Sequence, residues 1–180
     1  MKREAQALAL LALAIAVLQG CSSTSDSARA TGGEEYLVAN VMPTQGNTAR
    51  GEVRFYRSGT GVRVTATFEG LTPGAHGFHL HETGDCSAPD AMSAGAHYNP
   101  AAAPHGAPEA AAAARHMGDL GNVEAGADGK AAYERVDNVL VYENLKGLAV
   151  LVHASADDLT SQPAGNAGAR IGCGVIQEAD

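Results

Sequence analysis

Positive charge is scarce in this chain of 180 residues. Lys and Arg number 12 against 20 Asp and Glu, a formal charge of −8 at pH 7. Without the first twenty residues the balance is 10 to 19, or −9. A surface of that sign is poorly suited to displacing counterions from a phosphate backbone, which argues against nucleic acid as a partner. It also argues against electrostatic adhesion to anionic lipid. Apolar runs are short. Ala5 to Leu18 falls below the roughly 20 residues that span a bilayer. No long amphipathic helix pattern occurs anywhere, which argues against helical bundle classes. Cysteine is limited to three residues, Cys21, Cys86 and Cys173.

What is present begins with an export pattern. Lys2 and Arg3 precede the apolar run, which ends in Leu18-Gln19-Gly20-Cys21, similar to a bacterial lipobox. This predicts a lipoprotein signal peptide over 1–20 and lipidation of Cys21. The expected location is the cell envelope or periplasm, with the protein anchored to a membrane through that lipid. Residues 22–33 hold no apolar residue larger than alanine and cannot offset chain entropy by burial, so 21–33 reads as a flexible tether. Residues 34–180 suffice for one domain with a single core. With Cys21 assigned to lipid, Cys86 and Cys173 remain, and two cysteines in an exported protein usually pair. Closing a loop of about 87 residues is worth ~4–5 kcal/mol in the chain-entropy account.

Period-two alternation dominates the first half. In "GEVRFYRS" Val53 and Phe55 share one face; in "GVRVTATFEG" Val62, Val64, Ala66 and Phe68 do the same. "EEYLVANVM", "HGFHLHE", "KAAYERV", "GLAVLVHAS" and "RIGCGVIQ" add short strands, and Asp128-Gly129 marks a hairpin turn. The fold class predicted is all-β: an antiparallel sandwich or barrel. Two long segments break the alternation, Thr83 to about Met117 and Ala154 to Ala169. The alanines at 110–114 favour helix but are too few to form a stable one alone. Long loops in a compact domain are usually functional or disordered, and the first carries three histidines, which reads as functional.

The seven histidines fall into a pattern. His79 and His81 are two apart on a strand, so both side chains leave the same face. His153 ends another strand and can complete a three-nitrogen site. His97, His105 and His116 lie in Gly- and Pro-bounded turns. Asp119 follows His116 by three residues, and three imidazoles with one carboxylate suit a closed tetrahedral zinc site. His76 reads as a structural residue bonded to backbone beneath the site.

Taken together, "GFHLHETGDC", "SAGAHYNP", "RHMGDLGN", "LVHASADDL" and "GNAGARIGCGVI" resemble the signature segments of copper/zinc superoxide dismutase, in that family's order. The resemblance spans about Glu34 to Gln177. It implies a Greek-key β-barrel with two long metal-site loops and a homodimer or monomer as the assembly. The activity it implies is dismutation of superoxide to O2 and H2O2, with copper and zinc as cofactors, in defence of the cell envelope against oxidative damage. Carried over by segment, it makes His79, His81, His97 and His153 copper ligands. It makes His97, His105, His116 and Asp119 zinc ligands, with His97 bridging as an imidazolate. Cys86 and Cys173 match the family's disulfide, Asp157 the aspartate linking a copper ligand to a zinc ligand, and Arg170 the arginine that guides the anion. Lys146 and Arg115 are the next candidates for that guidance. Two alternatives stand beside this reading, a zinc hydrolase or hydratase built on His79-x-His81, and a non-catalytic metal-binding sandwich. The 153–170 segment is shorter than in eukaryotic members, and its only charges between those ends are Asp157 and Asp158, which places steering by that loop in doubt.

Overall fold

In the computed structural model the described residues are 35–179. The expected signal peptide, the lipidated Cys21 and the tether lie outside them. Among the described residues nine strands form: β1 Tyr36–Pro43, β2 Arg50–Ser58, β3 Gly61–Glu69, β4 Gly74–His81, β5 Asp119–Ala125, β6 Ala131–Asp137, β7 Ala149–His153, β8 Arg170–Val175 and β9 Gln177–Glu178. Helix is confined, among the described residues, to three 3-10 turns at Met92–Ala94, Ala112–Ala114 and Tyr142–Asn144. The second is what remains of the alanine run's helical preference.

The strands pair in the order β2-β3-β6-β5-β4-β7-β8-β1-β9, and β1 also pairs with β2. That last pairing closes β1 to β8 into an antiparallel barrel, with the two-residue β9 left at an edge beside β1. β4 lies between β5 and β7, far from β3 in the order, so the chain crosses the barrel in the Greek-key manner expected. The Asp128-Gly129 turn joins β5 to β6, with Gly129 at φ 74°.

Alternation sets what the barrel encloses. Val53, Phe55, Val62, Val64, Phe68, Phe78, Leu80, Val150 and Val152 are all buried in one core cluster. Phe78 meets Phe68 and Tyr133 edge-on, with ring centroids 5.5 and 5.1 Å apart. Because Phe78 and Leu80 point inward, His79 and His81 point to the outside of the barrel. They are nonetheless buried. The segments after β4 and after β7 fold back over this outer face and turn it into a second interior.

The disulfide Cys86–Cys173 is formed, with Cα atoms 5.8 Å apart. It joins the loop after β4 to β8. Cys173 packs there with Ala91, Ala94, Ala149 and Leu151 in a small apolar cluster apart from the barrel core.

Candidate metal centre

Two groups of side chains converge on the outer face of β4 and β7. His79, His81, His97 and His153 form one; His97, His105, His116 and Asp119 form the other. Within each group the ligand-capable atoms lie within 4.8 Å of one another, and every member is buried. His97 belongs to both. β4 supplies His79 and His81, the end of β7 supplies His153, and the start of β5 supplies Asp119. The loop between β4 and β5 brings the rest, held to the strand by an isolated bridge between His81 and His97.

The first group is defined by what its atoms lack. His79 Nδ1, His81 Nε2, His97 Nε2 and His153 Nε2 are buried without a hydrogen-bond partner. Buried polar atoms are nearly always paired, so four orphaned imidazole nitrogens on one group point to a ligand they share. Their opposite ring nitrogens are occupied: His79 Nε2 by Asp157 Oδ2 at 2.8 Å, His81 Nδ1 by Gly95 O at 3.0 Å, His153 Nδ1 by Gly168 O at 3.2 Å. That pattern fixes the tautomer and leaves a lone pair facing the shared point. Burial pulls the His79 pKa down to about 4 and that of His153 to about 3, and lowers that of His81 as well. All three are held neutral, as metal ligands must be.

The second group converges on Asp119. Its Oδ1 lies 2.8 Å from His97 Nδ1, 3.1 Å from His105 Nδ1 and 3.2 Å from His116 Nδ1, and the His97 and His116 nitrogens are 3.4 Å apart. Ligands about 2.0–2.1 Å from a tetrahedral ion sit roughly 3.3 Å from each other. The donor set, three nitrogens and one carboxylate oxygen, fits zinc in type as well as spacing. Burial alone would lower the His105 pKa, but the hydrogen bonds its ring donates to Asp119 and Asp157 raise it to about 9. Burial likewise works against Asp119, yet His105 and His97 hold its carboxyl well below the usual range.

Asp157 joins the two groups. Its Oδ2 accepts from His79 Nε2 and its Oδ1 from His105 Nε2 at 2.9 Å. Gly165, at φ 65°, passes directly over this carboxylate, where any Cβ would strike Asp157 Oδ1 and His105 Nε2. His76 bonds backbone as expected, with Nδ1 2.7 Å from His153 O and Nε2 2.8 Å from Thr72 O.

A cavity of about 710 Å3 opens beside the first group, lined by His81, His97, His153 and Arg170 among others. Arg170 Nη1 donates to Ala91 O at 2.7 Å and Nη2 to Gly95 O at 2.6 Å. Burial lowers its pKa, with Asp90 partly opposing, and it remains a cation. The other two guidance candidates do not reach the cavity. Arg115 is fully buried and paired with Asp137. Lys146 is exposed and pairs with Glu178 at 2.7 Å.

Two supporting residues carry no signal in the sequence. Asn122 on β5 accepts from Asp157 N at 2.7 Å and donates to Asp157 O at 2.9 Å. Gln162 does the same for His105, at 2.8 and 2.9 Å. Amide side chains in Gly-rich stretches read as turn residues, and the partners lie 35 and 57 positions away.

A family model described as copper/zinc superoxide dismutase (SODC) matches residues 49–176. A superoxide dismutase (Cu-Zn) of Onchocerca volvulus is 42% identical over 150 residues, covering 76% of this chain and 93% of that protein. A crystal structure of the clock protein EA4 superposes with a TM-score of 0.71 at 34% identity, covering 82% of this chain and 98% of that one.

Proposed function

The chain belongs to the copper/zinc superoxide dismutase family and dismutes superoxide with copper and zinc, and we propose a division of labour among its residues. His79, His81, His97 and His153 hold copper. His97, His105, His116 and Asp119 hold zinc, and His97 serves both. Bound copper supplies a one-electron couple, and bound zinc supplies fixed positive charge without redox chemistry. The observation that carries this assignment is the set of four orphaned imidazole nitrogens facing one point.

The protein's own part is to position, guide and protonate. Arg170 brings the anion to the cavity end where His81, His97 and His153 are exposed to it. Its two carbonyl bonds use two of five N–H groups and lock the guanidinium plane, so the remaining donors present a fixed fork. His97 Nε2 is the nitrogen of the shared imidazole that has no protein partner, and it is the atom at which a proton can be held and passed on. Asp157 keeps the His79 and His105 rings in their productive tautomers.

Copper and zinc quantification with an EPR spectrum, beside a superoxide assay, tests the assignment. One copper and one zinc per chain, with activity lost on chelation and restored by both metals, is the expected result. Activity that returns with zinc alone would favour a hydrolytic zinc site instead.

We propose further that the signal pattern over 1–20 delivers the protein to the cell envelope and that Cys21 carries a lipid anchor, which supports a role in protecting that compartment. The lipobox-like Leu18-Gln19-Gly20-Cys21 supports this reading. Wild-type protein should partition into detergent and Cys21→Ser should remain aqueous and active. Equal partitioning of the two would remove the anchor.

A further inference from the structure

We propose that Gln162 is a positioning residue for the zinc site, an amide clamp that governs how readily this site gives up its metal; the proposal rests on the metal assignment above. His105 is the ligand with the least local support. It follows Pro104, which has no N–H to donate, and sits in a stretch without regular structure. Among the described residues no backbone group pairs with the His105 N–H or C=O. Both are taken by one side chain. Gln162 Oε1 accepts from His105 N at 2.8 Å and Gln162 Nε2 donates to His105 O at 2.9 Å. A peptide N–H only donates and a carbonyl only accepts, so the amide orientation is fixed. The second Nε2 hydrogen goes to Thr160 O at 3.2 Å, which completes the amide.

The His105 imidazole is thereby held at two places. Asp157 fixes the ring at Nε2, and Gln162 fixes the peptide from which the ring hangs. Nδ1 then has one direction to point, toward Asp119 Oδ1. Asp157 is itself gripped by Asn122 from the barrel wall, but Gln162 is anchored only within the 154–169 segment. It is exposed and lines the cavity. The clamp can therefore open without disturbing the barrel, and local opening of this kind is how a buried ligand becomes free to leave. Opening releases the His105 peptide, swings Nδ1 off its line and leaves the ion with three ligands.

The test uses the full chain reconstituted with copper in the first site and Co(II) in the second, followed by excess EDTA. The tetrahedral Co(II) absorption reports the second site and the Cu(II) EPR signal the first. Gln162→Ala should lose Co(II) about tenfold faster than wild type, the usual penalty for removing a group that orients a ligand. Copper should leave no faster than twice the wild-type rate, and the melting temperature of metal-free protein should be unchanged. Gln162→Glu keeps the acceptor for His105 N but turns a carboxylate oxygen toward His105 O, and should be at least as fast as Gln162→Ala. Co(II) release within twofold of wild type in both variants overturns the clamp. Equal acceleration of both metals, or a drop in metal-free stability that accounts for the change, assigns Gln162 to general structure and also overturns it. Wild-type protein that takes up no Co(II) would defeat the metal assignment itself.

Discussion

Arg115 and Asp137 form a two-pronged ion pair: Arg115 Nη2 lies 2.7 Å from Asp137 Oδ1 and 2.6 Å from Oδ2, with both side chains out of solvent. Arg115 Nη1 also donates to Asp119 O at 2.7 Å. Asp119, a zinc ligand in the proposed assignment, is thus tied through its backbone carbonyl to the end of β6. Removing one partner strands the other charge, which costs about 3–5 kcal/mol at a buried site. Arg115→Ala should lower the unfolding free energy measured by urea titration by that amount without abolishing metal uptake. A loss under about 1 kcal/mol would show that the pair contributes no more than a surface bridge.

Asp157→Asn should weaken metal retention while removing no ligand. The carboxylate accepts from two ring N–H groups, at His79 Nε2 and His105 Nε2. An amide offers one acceptor and one donor, so one ring N–H must face an N–H. Zinc loss about tenfold faster, with an altered Cu(II) EPR spectrum, is expected. Unchanged release and spectrum would reduce Asp157 to a loop-folding residue.

Arg170→Ala should slow superoxide dismutation about tenfold in kcat/KM with both metals retained, because the local cationic field goes and no ligand does. Arg170→Lys should be milder, since charge stays and the planar fork is lost. Arg170→Glu should be the slowest. The wild-type rate should fall as ionic strength rises, and the Arg170→Ala rate should fall less steeply. Full activity in Arg170→Ala would send the search for guidance to the field of the metals alone.

Metal-free protein should show a stability maximum near neutral pH. His79 and His153 titrate at about 4 and about 3 in the fold, against an ordinary value of 6.5. Between those limits the unfolded chain binds more protons, so stability rises with pH. His105 behaves oppositely. Raised to about 9, it contributes fully below 6.5 and loses that contribution as pH climbs through 9. Urea midpoints at acid, neutral and alkaline pH should therefore rise and then fall. A steady rise into the alkaline range would show that His105 is not held as a cation.

The barrel and the two convergent groups of side chains were legible in the sequence. Period-two alternation fixes which face of a strand is buried, and it placed Phe78 and Leu80 opposite His79 and His81. The histidines in turns were legible because imidazole clusters are rare and the family's segments come in order. Gln162, Asn122 and the Arg115–Asp137 pair were not legible. Their partners lie 57, 35 and 22 positions away, and nothing local distinguishes an amide that caps a turn from one that grips a remote peptide. Arg115 reads in the sequence as a candidate to guide the anion, since most arginines are exposed; only the folded chain shows it buried against Asp137.

The cavity that ends at His97 and Arg170 measures about 710 Å3, many times the roughly 10–15 Å3 that one water needs. A diatomic anion fills little of it, so shape cannot be the basis on which this enzyme chooses its substrate. Charge and electron affinity must do the choosing, and any small anion of the right sign is a competitor. The same spare volume admits solvent alongside the anion. Dismutation consumes one proton for each superoxide, and among the charged lining residues the only carboxylate is Glu82, already accepting from Ala96 N at 3.1 Å. Solvent in the cavity is therefore the source that can reload His97 Nε2, and the cavity is as much an inlet for hydrogen ions as for the radical.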